Sequence, residues 1–136
     1  MKSYNQLNEL RDEIFDYAKK QGSHEKPFNF GEALMLIVSE LSEALEADRN
    51  EKYAENPLVP IPNKEVGYNN LLYIEPENIT KVFYEQYVKG TVEEEIADAI
   101  ILLCHLAKHK NINLDWHVRA KMEYNKTRPY RHGKKY

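Results

Sequence analysis

Four acidic side chains are the residues of this chain best placed to do chemistry. Glu40 and Glu43 stand three apart in one strongly apolar, helical stretch, and Glu95 and Asp98 stand three apart in another. Residues three apart on a helix share a face, so each pair projects two carboxylates sideways from its helix. If the two helices face each other, four carboxylates converge. Burying that much like charge is costly unless cations neutralise it. A hard divalent cation held through oxygen, magnesium above all, is the simplest remedy. Acidic residues on helices are ordinarily a solvated face. Here the flanks argue otherwise: Leu36, Val38, Leu41 and Ala44 surround the first pair, and Ile96, Ala97, Ala99 and Ile101 the second. A helix apolar on nearly every side is expected to be buried, and its acids then need partners.

The elements that must position these acids are legible from caps and periodicity. Ser3 to Gln6 reads as a capping box opening a first helix, with Leu7, Leu10, Ile14, Phe15 and Ala18 at helical spacing and Gly22 as its stop. Asn29 with Glu32 caps a second helix that runs to about Arg49, with Phe28 and Ala33 placed as a staple. Its stripe is Leu34, Ile37, Val38, Leu41 and Leu45. From Asn50 to Glu75, Pro57, Pro60, Pro62 and Gly67 forbid one continuous helix. Asn69-Asn70 before Leu71 to Ile74 suits a turn into a short strand. Pro76 suits the first position of a short helix with Ile79, Val82, Phe83 and Tyr87 on its apolar face and Gly90 at its end. Five of the ten tyrosines fall between Tyr53 and Tyr87, so this segment reads as a structured insertion, not a linker. Thr91 with Glu94 caps a third long helix, with Ile96, Ala99, Ile100, Leu103 and Ala107 on its apolar side. Asn113 caps a fourth, which continues to about Lys126 before Pro129 stops it. The expected fold is all-α: a four-helix core in one domain over residues 1–136, an irregular insertion at about 50–90 and a basic tail at about 127–136.

The 136 residues are 42% hydrophobic and 30% charged, which excludes a disordered chain. Cys104 is the only cysteine, so no intramolecular disulfide framework exists. With no signal-like run from Met1 to Tyr17 and no apolar run long enough for a membrane span, a cytoplasmic protein is expected. The net charge of −3 hides an asymmetry: Arg119 to Tyr136 carries +6 and the remainder −9. An acidic body with a basic end suits a metal site beside a phosphate-binding element, and equally a tail for an acidic partner or nucleic acid.

The order, flanks and helix placement of the two acidic pairs, SELSEALEA around Glu40 and Glu43 and EEEIADAIILL around Glu95 and Asp98, resemble the all-alpha nucleoside-triphosphate pyrophosphohydrolases of the MazG-like group. The resemblance covers most of the chain from Asn29 to Tyr130. It implies Mg²⁺-dependent cleavage of a nucleoside triphosphate to the monophosphate and pyrophosphate, with Mn²⁺ able to substitute. By it, Glu40, Glu43, Glu95 and Asp98 are the metal ligands, and Glu40 or Glu43 is the base. Lys121 and Asn125, four apart and so on one helix face, are implied on the substrate. Arg128, Arg131 and Lys134 could reach triphosphate oxygens, arginine bidentately. Similar proteins assemble as dimers or tetramers and build the pocket across subunits, so a homodimer or homotetramer is expected. One departure stands out: 51 residues separate Glu43 from Glu95, more than is usual in that group. An insertion there could lid the pocket or form a subunit contact.

Rival readings fare less well. A di-iron carboxylate bundle needs Glu-x-x-His pairs, and no histidine here has a glutamate three residues before it. A non-catalytic helical module that binds nucleotide or nucleic acid, in a regulatory role, would use the basic tail and show salt-sensitive binding without turnover. The acidic body disfavours nucleic acid. His105, seven residues after Asp98 and so on the same helix face, has two readings: a place behind the metal ligands and, the commoner one, a core or surface histidine. His109, His117 and His132 show no ligand spacing. Cys104 reads as a core thiol. Trp116, Phe28 and Phe30 are candidates for a wall against a base.

Overall fold

Helix α1 (Gln6–Lys20) starts where a carboxylate from the far end of the sequence can cap it. The Leu7 and Asn8 backbone N–H groups donate to the Asp115 carboxylate at 3.3 and 2.8 Å. This computed structural model describes residues 5–54, 58–60, 71–73 and 76–130. Along them run α1, α2 (Phe30–Arg49), strands β1 (Leu58–Pro60) and β2 (Leu71–Tyr73), a 3-10 turn (Pro76–Asn78), α3 (Lys81–Tyr87), α4 (Val92–His109) and α5 (Leu114–Lys126). The long helices expected third and fourth are therefore α4 and α5. The chain divides into two compact units, Met1–Met35 with Ile100–Tyr136, and Leu36–Ala99.

In the first unit α1 packs against α5, and polar groups lock the start of each. The Asn113 side chain accepts from Trp116 N at 3.1 Å, as its N-cap position predicts. The Asn8 amide donates to Asn113 Oδ1 at 2.9 Å, and its oxygen accepts from Leu114 N at 3.0 Å. Arg11 donates to the Ile112 carbonyl and pairs with Asp12, which Lys108 also meets at 2.9 Å. The cap expected at Ser3 lies outside the described residues; among those described, Asp115 serves the α1 N-terminus. Asp115 is buried, and its negative charge sits in the first turn of α5, where the helix dipole favours it. Gly22, at φ +85, takes the left-handed turn that stops α1.

In the second unit, α2 ends in a turn through Glu51 at φ +54, and Lys52 N returns to Ala47 O at 2.9 Å. Of the insertion, residues 50–54, 58–60, 71–73 and 76–90 are described. β2 forms at Leu71–Tyr73, where a short strand is expected, and pairs antiparallel with β1 in the register Leu58↔Tyr73, Val59↔Leu72, Pro60↔Leu71; the Asn69-Asn70 turn and Ile74 lie outside the described residues. The short helix expected from Pro76 is broken. A 3-10 turn ends at Asn78, and α3 begins afresh after Thr80, whose hydroxyl accepts from Phe83 N at 3.2 Å. Thr80 offers the cap that a continuous helix would have had no use for. The α4 N-terminus is then held twice: Val92 N donates to Lys52 O at 3.0 Å, and Ala54 N donates to Glu93 Oε2 at 2.8 Å. Those bonds bring the start of α4 beside the end of α2.

The apolar stripes depart from expectation. Of the α2 stripe only Ile37 is buried, whereas Leu34, Val38, Leu41 and Leu45 are exposed. On α4, Ala99 and Ala107 are buried, but Ile96, Ile100 and Leu103 are not. Among the described residues no helix is long and apolar enough to cross a membrane.

Candidate metal centre

Local capping sets the direction of the second acidic pair. Glu94 N donates to the Thr91 hydroxyl at 3.4 Å, and the Glu94 carboxylate reaches back to Gly90 N at 2.5 Å, so the expected capping box closes one residue further out. These bonds hold the first turn of α4, from which Glu95 and Asp98 follow. Across from them, Glu40 projects from α2. One oxygen from each of Glu40, Glu95 and Asp98 falls within 4.8 Å of the others. Glu95 is buried, at 9% exposure, while Glu40 and Asp98 are half-buried. Glu43 is the exposed member, with the Ser39 hydroxyl 3.5 Å from its carboxylate.

The electrostatics of the cluster follow from that geometry. Burial raises the Glu95 pKa above the ordinary carboxylate range; the Glu43 charge, a hydrogen bond with Glu40, and the charges of Glu94 and Glu40 push the same way. Asp98 is raised for the same reasons, first burial, then the charges of Glu94 and Glu43. Glu43 is thus electrically part of the group although its oxygens are not in the tight trio. Carboxylates in this arrangement gain from a proton or a cation between them. The donor set is all oxygen and carries several negative charges, which fits a hard divalent ion.

Two further groups border the cluster. Tyr84 of α3 hydrogen-bonds Glu94, and its hydroxyl pKa is pushed up to about 12 by burial, by that bond and by the charges of Glu94, Asp98 and Glu95. Beside it opens a hollow of about 430 Å³ lined by Tyr84, Glu94, Lys81, Lys89 and Thr80 among others. The hollow is open to solvent. The sequence alone assigns Glu94 only a capping role and Tyr84 none. Their signal is faint: Tyr84 lies on a seven-residue helix in an insertion without sustained periodicity.

The residues expected on the substrate belong to α5 and to the chain beyond its C-terminus, in the other unit. Lys121 is exposed, with Nζ 4.7 Å from the Tyr124 ring centre; Asn125 is exposed and Arg128 half-buried. Arg131 and Lys134 lie outside the described residues, as does His132. Phe28 and Phe30 do lie together, both under the Lys110 ammonium, and Cys104 is buried with its thiol pKa raised by burial. No family model, no curated protein and no solved structure matches the chain.

Proposed function

We propose that this chain hydrolyses a nucleoside triphosphate to the monophosphate and pyrophosphate at a Mg²⁺ centre held by Glu40, Glu43, Glu95 and Asp98. The observation that carries this reading is the convergence of Glu40, Glu95 and Asp98 oxygens within 4.8 Å, from two separate helices and around a buried glutamate. The motif resemblance supplies the reaction. Mg²⁺, when bound, supplies positive charge against both the carboxylates and the triphosphate oxygens. Glu40 or Glu43 takes a proton from water as the water oxygen bonds to the α-phosphorus. The bond from that phosphorus to the α,β-bridging oxygen breaks, and pyrophosphate leaves. Lys121, Asn125 and Arg128, with Arg131 and Lys134, hold the triphosphate and offset the charge of the leaving group. Lys81 and Lys89, at the hollow beside Glu94, are additional cations for phosphate.

The four-helix core of α1, α2, α4 and α5, with the metal between α2 and α4, belongs to the same proposal, as do a cytoplasmic setting and a homodimer or homotetramer. Exposed apolar side chains on α2 and α4 support assembly. The test is turnover of the Glu43→Ala and Asp98→Ala variants on a panel of ribo- and deoxyribonucleoside triphosphates. Each is expected to lose at least about 100-fold, the upper end of what even outer-shell losses cost at metal sites. Unchanged turnover and unchanged Mg²⁺ dependence in both would sink the assignment.

A further inference from the structure

A second set of metal-ligating side chains lies in the first unit, built from nitrogen instead of oxygen. His24 sits just past Gly22, in the turn that follows α1. His105 and His109 stand four apart on α4 and so share a face. One ring nitrogen from each of the three falls within 4.8 Å of the others. His24 Nε2 and His105 Nε2 are 3.0 Å apart, and the three ring centres lie 4.7 to 5.2 Å from one another. Phe15 closes the group on one side, with ring centres 4.4, 5.5 and 5.0 Å from His24, His105 and His109. Phe28 stacks flat on His109 at 4.0 Å.

We propose that His24, His105 and His109 form a binding site for a zinc-class divalent transition metal, clamping the turn after α1 to α4. Imidazole suits zinc and its first-row neighbours, whereas carboxylate oxygen suits magnesium, so the two clusters select different ions. A metal about 2.0–2.1 Å from each nitrogen in tetrahedral geometry needs nitrogens roughly 3.3 Å apart. The His24–His105 separation, a hydrogen bond in the metal-free chain, is close to that already, and the His109 nitrogen lies within 4.8 Å of both. Three protein nitrogens leave the fourth position to water. Metal binding needs neutral imidazole. Burial lowers the His105 and His109 pKa values below the usual histidine range, with the neighbouring rings reinforcing the shift and Lys110 adding to it at His109. Phe15 and Phe28 pack on the half-buried rings and hold their orientation. The i, i+4 spacing of His105 and His109 is visible in the sequence, but the third ligand comes from a turn eighty-one residues before His105.

The test uses the full chain with Co²⁺ as probe, in excess Mg²⁺ to occupy the oxygen donors. The expected result is stoichiometric uptake with the intense visible bands of four- or five-coordinate, nitrogen-ligated Co²⁺, bleached on adding Zn²⁺. His24→Gln, in a turn where folding is least at risk, and His105→Asn should each weaken uptake at least about 100-fold, with helical circular dichroism unchanged. Histidine ring proton resonances give a second readout: Zn²⁺ should move those of His24, His105 and His109 and spare His117. Absence of the Co²⁺ bands in the native chain, or uptake by His24→Gln equal to the native chain's, would overturn the proposal and leave the cluster as aromatic packing.

Discussion

At Glu95, burial and neighbouring charge act in the same direction, and stability should record it. Its pKa is raised in the fold, and so is that of Asp98. A raised carboxyl binds protons more tightly in the native than in the unfolded chain. Its contribution to stability is therefore full below the unfolded carboxylate value, about 4, and is lost as pH rises through the raised native value. At neutral pH the metal-free cluster repels itself. Thermal unfolding should show Mg²⁺ raising Tm near pH 7 and having little effect near pH 4, where the carboxyls hold protons. Removing one charge acts in the same sense: Glu95→Gln is expected to raise the metal-free Tm at neutral pH by a few degrees while abolishing the Mg²⁺ response. A lower metal-free Tm for Glu95→Gln would mean that repulsion does not dominate there. Helical spacing alone places each acidic pair on one face, but does not show that Glu40, Glu95 and Asp98 meet while Glu43 stays exposed. Tyr84 and the wider role of Glu94 are not legible, because their meeting depends on where a short helix lands.

The elements show how far local signals reach. Asn29, Thr91 and Asn113 cap the helices they precede, since a side-chain oxygen beside unpaired N–H groups needs no tertiary information. The α1 cap is different in kind. Asp115 lies more than a hundred residues from the N–H groups it accepts from, so no window of sequence could reveal it. Asp115→Ala leaves the Leu7 and Asn8 donors without that acceptor and should cost about 1–3 kcal/mol in denaturant unfolding. Asp115→Asn, which keeps an acceptor oxygen but loses the charge, should cost less. Equal stability of Asp115→Ala and the native chain would show that water replaces the cap at no cost. In the insertion, the Pro76 signal marks a helical turn but not its end. Thr80 restarts the helix, and β1 needs the pairing partner at Leu71–Tyr73 before it can be recognised as a strand.

Across the whole molecule, the described residues bury few large side chains and none completely. In one unit the buried apolar residues are Ile37 with alanines, in the other Leu106 and Cys104 with Ala107, while Met35 at 64% exposure, Leu41, Leu45, Ile100 and Leu103 are exposed. The assembly proposed above would cover such side chains with a second copy of the chain. Light scattering should then give the mass of a dimer or tetramer, and Leu45→Lys, at a position already exposed in one chain, should shift it toward the mass of a single chain. A native chain that scatters as a monomer would contradict this. The amphipathic pattern is readable in the sequence, but not which part of each stripe one chain covers by itself.

Whether the acidic cluster is a pyrophosphohydrolase centre is decided by product analysis of the native chain on nucleoside triphosphates, with Mg²⁺ and with EDTA. Monophosphate and pyrophosphate are expected in equal amounts with Mg²⁺, and neither with EDTA. Release of orthophosphate and diphosphate, turnover that persists in EDTA, or binding without turnover on every triphosphate with Mg²⁺ or Mn²⁺ would contradict the proposed reaction.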